Sequence, residues 1–242
     1  MRVAIMSAAV ALVVLAAAFL VVLRAVGPQE RTPADGGVPA VARGTAPPTV
    51  PPLAPDLDLT AWAGRVAGPT GIPARALAAY GEAERVQRAT GPGCGLSWTT
   101  LAGVGRIESD HGRLGRADLD ADGVARPPIV GVPLDGSPGV ADIADTEGGR
   151  LDGDPEHDRA VGPLQFLPST WARFGADGDG DGVRDPNDLD DAAVAAAAYL
   201  CAAGRDTAEG DGWWDGVLAY NRSLEYARRV WGATDRYAAA SV

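Results

Sequence analysis

The chain has 242 residues, a formal net charge of −11 and a 46% share of hydrophobic residues. That charge excludes a phosphate-binding surface, because nucleic-acid binders carry a basic footprint, and it does not suit simple electrostatic adhesion to an anionic envelope. The hydrophobic share is enough for one packed domain plus accessory segments, although much of it is alanine and much lies at the N-terminus.

Val3 to Leu23 contain no charged residue and no proline. At ~1.5 Å per residue such a helix spans roughly the ~30 Å hydrocarbon layer. Residues 1–26 therefore read as a membrane anchor or a signal peptide. The uncleaved anchor is preferred, since Leu23-Arg24-Ala25 offers no clean cleavage site; Ala16 to Ala18 keep the cleaved alternative open. Residues 27–56 follow as a linker, with Pro28, Pro33, Pro39, Pro47, Pro48, Pro51, Pro52 and Pro55. Proline at that density blocks helix and sheet pairing and favours extended polyproline II. The linker is expected to hold a domain of residues 57–242 away from the membrane.

In that domain Ile72-Pro73 opens a helix to about Thr90, with Pro73 as a first-turn proline. Ile72, Ala76, Ala79, Tyr80 and Ala83 form its apolar stripe. Gly91-Pro92-Gly93 ends it. Ser97 is placed as the N-cap of a second helix that runs through Leu101, Val104 and Ile107 to Glu108. Residues 112–159, rich in Gly, Pro and Asp, read as a long irregular insert, a length that points to function. Helices are expected after Pro168, over Ala192 to Cys201, over Trp213 to Tyr220 and from Ser223 to Trp231. No sustained period-two signal occurs, so the fold class is mainly α.

Cys94 and Cys201 form an even pair, which in an exported chain predicts one disulfide, the alternative being two unrelated buried thiols. Zinc is not expected, because His111 and His157 lack ligand spacing to each other or to the cysteines. His111 reads as a polar loop residue.

Glu108 shares a helix face with Leu101, Val104 and Gly105. A carboxyl on that glycine-thinned apolar face is partly desolvated, which raises its pKa and keeps it protonated near neutrality. A general acid for a glycosidic oxygen needs that state. Spacing alone does not separate this from a surface Glu at a helix end.

Three ordered motifs carry more weight. Ile107-Glu108-Ser109, Gly162-Pro163-Leu164-Gln165-Phe166-Leu167-Pro168-Ser169-Thr170-Trp171 and Ala219-Tyr220-Asn221 together resemble the lytic transglycosylases of the lysozyme superfamily, in the membrane-bound MltB-type branch. The resemblance covers roughly residues 72–231. It implies a lysozyme-like helical domain that cleaves the bond between N-acetylmuramic acid and N-acetylglucosamine in peptidoglycan glycan strands. Glu108 matches the sole catalytic acid/base, Ser109 and Gln165 match polar residues lining the cleft, and Tyr220 and Asn221 match the late motif beside it. The implied reaction closes a 1,6-anhydro ring on the muramic sugar, without water. The insert departs from the family. Its many acids, Asp110 to Asp158, keep a hydrolytic muramidase with a second carboxylate open, and a catalytically silent wall-binding module remains the rival from another class.

A further motif is Asp177-Gly178-Asp179-Gly180-Asp181-Gly182-Val183-Arg184-Asp185-Pro186-Asn187-Asp188. Oxygens of Asp177, Asp179, Asp181, Asp185 and Asp188, with the Val183 carbonyl, match an EF-hand calcium loop. Asp replaces the usual Glu at position twelve, and Asp190 or Asp191 are alternative ligands there. The calcium is expected to be structural and is also a feature of the resembled branch. Asp118 to Gly123 imitate only the opening of such a loop and read as a loop. A monomer outside the cytoplasm, anchored or secreted, with glycan strands as partner, is the expected whole.

Overall fold

The helix with the most buried residues organises the rest. Trp98–Ser109 buries Leu101, Ala102, Gly103, Val104 and Gly105, so it must be covered on nearly all sides. The computed structural model describes residues 37–241, which contain seven α-helices, this one included. They are α1 (Leu59–Thr70), α2 (Ala74–Thr90), α3 (Trp98–Ser109), α4 (Pro168–Phe174), α5 (Leu189–Cys201), α6 (Gly210–Tyr220) and α7 (Leu224–Ala240). The two strands, β1 (Asp118–Leu119) and β2 (Ala125–Arg126), form a small antiparallel hairpin. The architecture is mainly helical, as the sequence predicts.

Local chemistry accounts for the helix ends. The Ser97 hydroxyl accepts the Thr99 N–H and caps α3, and Asp58, Asp188 and Ser223 cap α1, α5 and α7 in the same way. Pro73 stands one residue before α2, at its cap position. Helix α1 escapes a periodicity reading because Gly64, Gly68 and Pro69 dilute its pattern and only Trp62 and Ala63 are buried.

Packing then depends on small residues. A Cβ on Gly103 would lie 2.6 Å from Thr234 Oγ1, so α7 crosses α3 at close range. Gly105 faces the Tyr80 hydroxyl of α2. Just past α3, Asp110 and His111 adopt left-handed backbone and reverse the chain. His111 is buried, not a polar loop residue. Its Nδ1 meets Tyr80 Oη at 3.1 Å and its Nε2 meets Tyr237 Oη at 2.9 Å, joining α2, α3 and α7. Burial pushes its pKa down to about 3, so the ring is neutral. The predicted disulfide is present: Cys94 is bonded to Cys201, with a Cα–Cα distance of 5.5 Å.

The chain divides into Met1–Gly37 and a compact unit, Val38–Val242. The expected anchor, residues 1–26, lies outside the described residues. Among the described residues no helix is long and apolar enough to cross a membrane. The expected linker, residues 27–56, is corrected in its second half, which lies on the domain instead of spacing it. An extended chain leaves its carbonyls free, and side chains of α6 and α7 take them. The Trp214 indole donates to Thr45 O at 3.0 Å, Trp231 to Ala46 O at 3.3 Å and Arg228 to Val41 O at 3.1 Å. Pro47 is buried, and the Leu53 N–H donates to the buried Glu84 carboxylate at 2.9 Å. A chain beginning at Leu57 is therefore expected to lose about 3–5 kcal/mol, from several hydrogen bonds and newly exposed apolar surface. Urea denaturation of chains beginning at Val38 and at Leu57 measures the difference.

The insert is irregular but knit together by its acids. Asp120 accepts the N–H groups of Asp122 and Val124 and the Arg126 guanidinium at 2.6 Å. The stretch Asp118 to Gly123, read as a plain loop, is thus the first strand and turn of the β1–β2 hairpin. Asp145 accepts the N–H groups of Glu147, Gly148 and Gly149, and the fully buried Asp158 accepts the N–H and the hydroxyl of Thr146. The Asp120 and Asp145 contacts are Asx-type turns, in which the side chain replaces a missing secondary structure.

Candidate active site

Glu108 occupies the last turn of α3. Burial raises its carboxyl from the ordinary range to about 7, opposed by a hydrogen bond from the Tyr226 hydroxyl. That bond is 2.5 Å long, from Tyr226 Oη to Glu108 Oε1. Tyr226 stays protonated, because burial and then the nearby Glu108 charge raise its pKa well above the usual tyrosine value. The site therefore holds one carboxyl near its midpoint of protonation at neutral pH, oriented by one neutral donor.

The segment facing α3 is a tight turn. Val161 and Phe166 exchange both backbone hydrogen bonds at 2.9 Å, and the Gly162–Gln165 turn lies between them. Gln165 adopts φ +50, an uncommon conformation for a residue with a side chain. Its Nε2 donates to Gly162 O at 2.9 Å. Strain of this kind persists only where the surroundings over-determine it, and it gathers at functional sites.

Ser109 is placed differently from its expected position on the cleft wall. It is only 2% exposed, its hydroxyl donates to Pro163 O at 2.5 Å, and the Gly112 N–H donates to it at 2.7 Å. One residue along a helix turns a side chain about 100°, so Ser109 points into the turn beside Glu108 and positions it. Tyr220 does similar work from the other side. Its hydroxyl donates to Leu164 O at 2.7 Å, and its ring packs edge-on against Phe166, 5.7 Å between centroids. The Glu108 charge is felt at Tyr220, where it adds to a pKa rise caused first by burial. Asn221 is exposed, and its Oδ1 accepts the Ser223 N–H at 3.1 Å. It shapes the turn that starts α7, whose third residue is Tyr226.

Glu108, Gln165, Tyr220 and their neighbours are thus brought together by α3, the 161–166 hairpin and the α6–α7 turn. Tyr226 is the member that sequence reasoning misses. No local signal marks it: a tyrosine in the first turn of a helix is ordinary until the fold sets it against a carboxyl 118 positions away.

In the acidic loop it is Asp191, one of the two alternatives to Asp188, that turns toward the other aspartates. Asp188 is the N-cap of α5, its carboxylate accepting the Asp190 N–H at 2.7 Å. Asp190 pairs with Arg75. Asp191 instead turns toward the loop, its two oxygens accepting the N–H groups of Gly178 at 2.6 Å and Asp185 at 2.7 Å. Ligand atoms of Asp177, Asp179 and Asp191 lie within 4.8 Å of one another. Burial raises the Asp191 carboxyl, and the charges of Asp179 and Asp177 raise it further. Asp181 and Asp185 bind loop N–H groups, of Val183 at 2.7 Å and Asn187 at 2.8 Å, and the Val183 side chain is exposed.

This loop is joined to the candidate active site. The Asn187 side chain accepts the Ile129 N–H at 3.0 Å, Gly162 N–H donates to Ile129 O at 2.8 Å, and Gly162 packs directly on the Pro186 carbonyl.

No curated protein and no solved structure matches the chain. Residues 159–215 match the family model described as Transglycosylase SLT domain. The matched stretch holds the 161–166 hairpin, the acidic loop and α5, and it ends before Tyr220 and Tyr226. Glu108 lies outside it. This stretch of the chain is similar to a domain of transglycosylases.

Proposed function

We propose that the chain is a peptidoglycan lytic transglycosylase of the lysozyme superfamily, of the MltB type, with Glu108 as its sole general acid/base. The observation that carries this reading is a carboxyl lifted by burial to about 7 and held by the Tyr226 hydroxyl. The protonated Glu108 donates to the oxygen between the muramic and glucosamine sugars. The resulting carboxylate, which the Tyr226 hydroxyl stabilises, then takes the proton of the muramic C6 hydroxyl as that oxygen attacks C1. The 1,6-anhydro ring closes and no water is consumed. A hydrolase would need a partner carboxylate at ~5–5.5 Å or ~6.5–9.5 Å.

Purified sacculi and product masses test the reading. Anhydro-ended muropeptides are expected. Products heavier by one water would replace it with muramidase hydrolysis. No release, with binding unchanged in Glu108→Gln, would replace it with a silent wall-binding module. The Cys94–Cys201 disulfide supports an extracytoplasmic location, since such bonds persist in oxidising compartments. The proposal includes a monomer, anchored through residues 1–26 or released to the wall.

We also propose a structural calcium in the acidic loop, held by Asp177, Asp179 and Asp191. The fit rests on the donor chemistry: hard oxygen ligands converge, and their mutual repulsion, visible at Asp191, is what a hard cation relieves. Calcium at about a hundredfold its Kd is expected to add about 2.7 kcal/mol of stability. Thermal unfolding with calcium and with a chelator measures it, and Asp191→Asn should abolish the difference. A midpoint indifferent to calcium would dismiss the site.

A further inference from the structure

Helices α6 and α7 meet at the 221–223 turn, and each brings a tyrosine to the candidate active site from beside it. Tyr220 ends α6, and Tyr226 stands in the first turn of α7. Asn221, Arg222 and Ser223 are all exposed, so packing around the turn does little to fix the angle between the helices. Residues 38–47 span both of them. On α6 the Trp214 indole donates to Thr45 O at 3.0 Å, Arg43 pairs with Asp215 at 2.9 Å, and a Cβ on Gly210 would stand 1.8 Å from Gly44 O. On α7 Arg228 donates to Val41 O at 3.1 Å, the Trp231 indole donates to Ala46 O at 3.3 Å, and a Cβ on Gly232 would stand 2.5 Å from the Pro39 ring. The two glycines let the segment reach the helix backbones themselves.

Arg228 lies two residues beyond Tyr226, about 200° around the helix, so the segment grips α7 on the face turned away from Glu108. On the inner side Val230 and Thr234 meet Gly103 of α3. Helix α7 is therefore held between α3 and the segment. Resting on the transglycosylase reading, we propose that residues 38–47 are a positioning staple across α6 and α7 that keeps Tyr226 against Glu108 during turnover. The Tyr226–Glu108 hydrogen bond, 2.5 Å long, is where a small rotation of α7 is felt first, because such bonds weaken steeply with distance and angle. The rest of the extended segment lies against α2 instead: the Leu53 N–H donates to Glu84, and Arg85 donates to Pro55 O. That half provides an internal control.

Arg228→Met combined with Trp231→Phe removes both α7 donors and keeps apolar bulk, and rates are compared where circular dichroism shows every chain folded. The pair is expected to lower kcat on glycan strands about three- to tenfold with KM nearly unchanged, less than the ~10²-fold that a misplacement of about 1 Å can cost. In a Tyr226→Phe background the same pair should lower kcat less than about twofold, because the lesions share one path and are not additive. Arg85→Met should leave kcat unchanged. Equal losses in both backgrounds, no loss at all, or an equal loss in Arg85→Met overturns the proposal. Fluorine NMR of the chain labelled with 3-fluorotyrosine reads the same coupling without activity. Of the five tyrosine lines, that of Tyr226, assigned by its absence in Tyr226→Phe, should shift or broaden in the doubly substituted chain and stay in place in Arg85→Met. If wild type cleaves no glycan the transglycosylase reading falls; a shifted Tyr226 line then keeps the staple, and an unmoved one overturns it too.

Discussion

Glu108→Gln is expected to reduce glycan cleavage by about 10²–10⁴-fold, the usual contribution of a positioned acid/base, while making the protein more stable at and above neutral pH. Both effects come from one cause. The folded chain raises this carboxyl from 4.5 to about 7, so folding favours its neutral form. The associated stability is fully present below the unfolded value near 4.5 and is lost as pH rises through about 7. Glutamine is neutral at every pH and can still accept from Tyr226. The variant should match wild type near pH 4 and exceed it by about 1–3 kcal/mol above pH 7, by the linkage between protonation and folding. Activity should follow the same group, falling as pH rises through about 7 and the acid loses its proton. Tyr226→Phe removes a donor that favours the charged carboxylate, so the alkaline limb should move to higher pH while kcat falls. A merely space-filling tyrosine would leave the limb in place. Full activity in Glu108→Gln, or equal stability of the two chains at pH 8, would remove Glu108 from its assigned role.

Gly162→Ala is expected to destabilise by about 3 kcal/mol or more, combining a left-handed backbone cost with an overpacking cost. Gly162 has φ +77, and a Cβ there would stand 1.7 Å from the Pro186 carbonyl oxygen and 2.6 Å from its carbon. Both neighbours are backbone, so no side chain can swing away. Gly139 is a matched control, with φ +87 and nothing within 4 Å of an added Cβ. Gly139→Ala should lose only the conformational part, about 1 kcal/mol. Because Pro163 and Leu164 supply the carbonyls that Ser109 and Tyr220 bind, Gly162→Ala should also lower kcat in whatever fraction stays folded. Urea denaturation and turnover of the two variants check this, and comparable losses at both positions would show that the contact with Pro186 is unimportant.

The sequence by itself determined what is local. The stripe from Ile72 to Ala83, the Ser97 cap, the helix beneath Glu108 and the aspartates of the acidic loop are each readable within a dozen residues, because helical periodicity and capping are short-range physics. The Cys94–Cys201 pair followed from parity and context. Tertiary structure decided every question of which distant groups meet. Ser109 and Glu108 are adjacent, yet one is buried against Pro163 and the other faces Tyr226, a division set by helix geometry against partners 54 and 118 positions away. His111 became a core tether through Tyr80 and Tyr237, and of the candidates Asp188, Asp190 and Asp191 it is Asp191 that turns into the acidic loop, because α5 begins there and uses Asp188 as its cap. Proline content foretold an extended segment before Pro55 but not that Trp214 and Trp231 would hold it. Extended backbone is a property of composition, whereas a hydrogen-bond partner for its carbonyls exists only once the helices have folded around it.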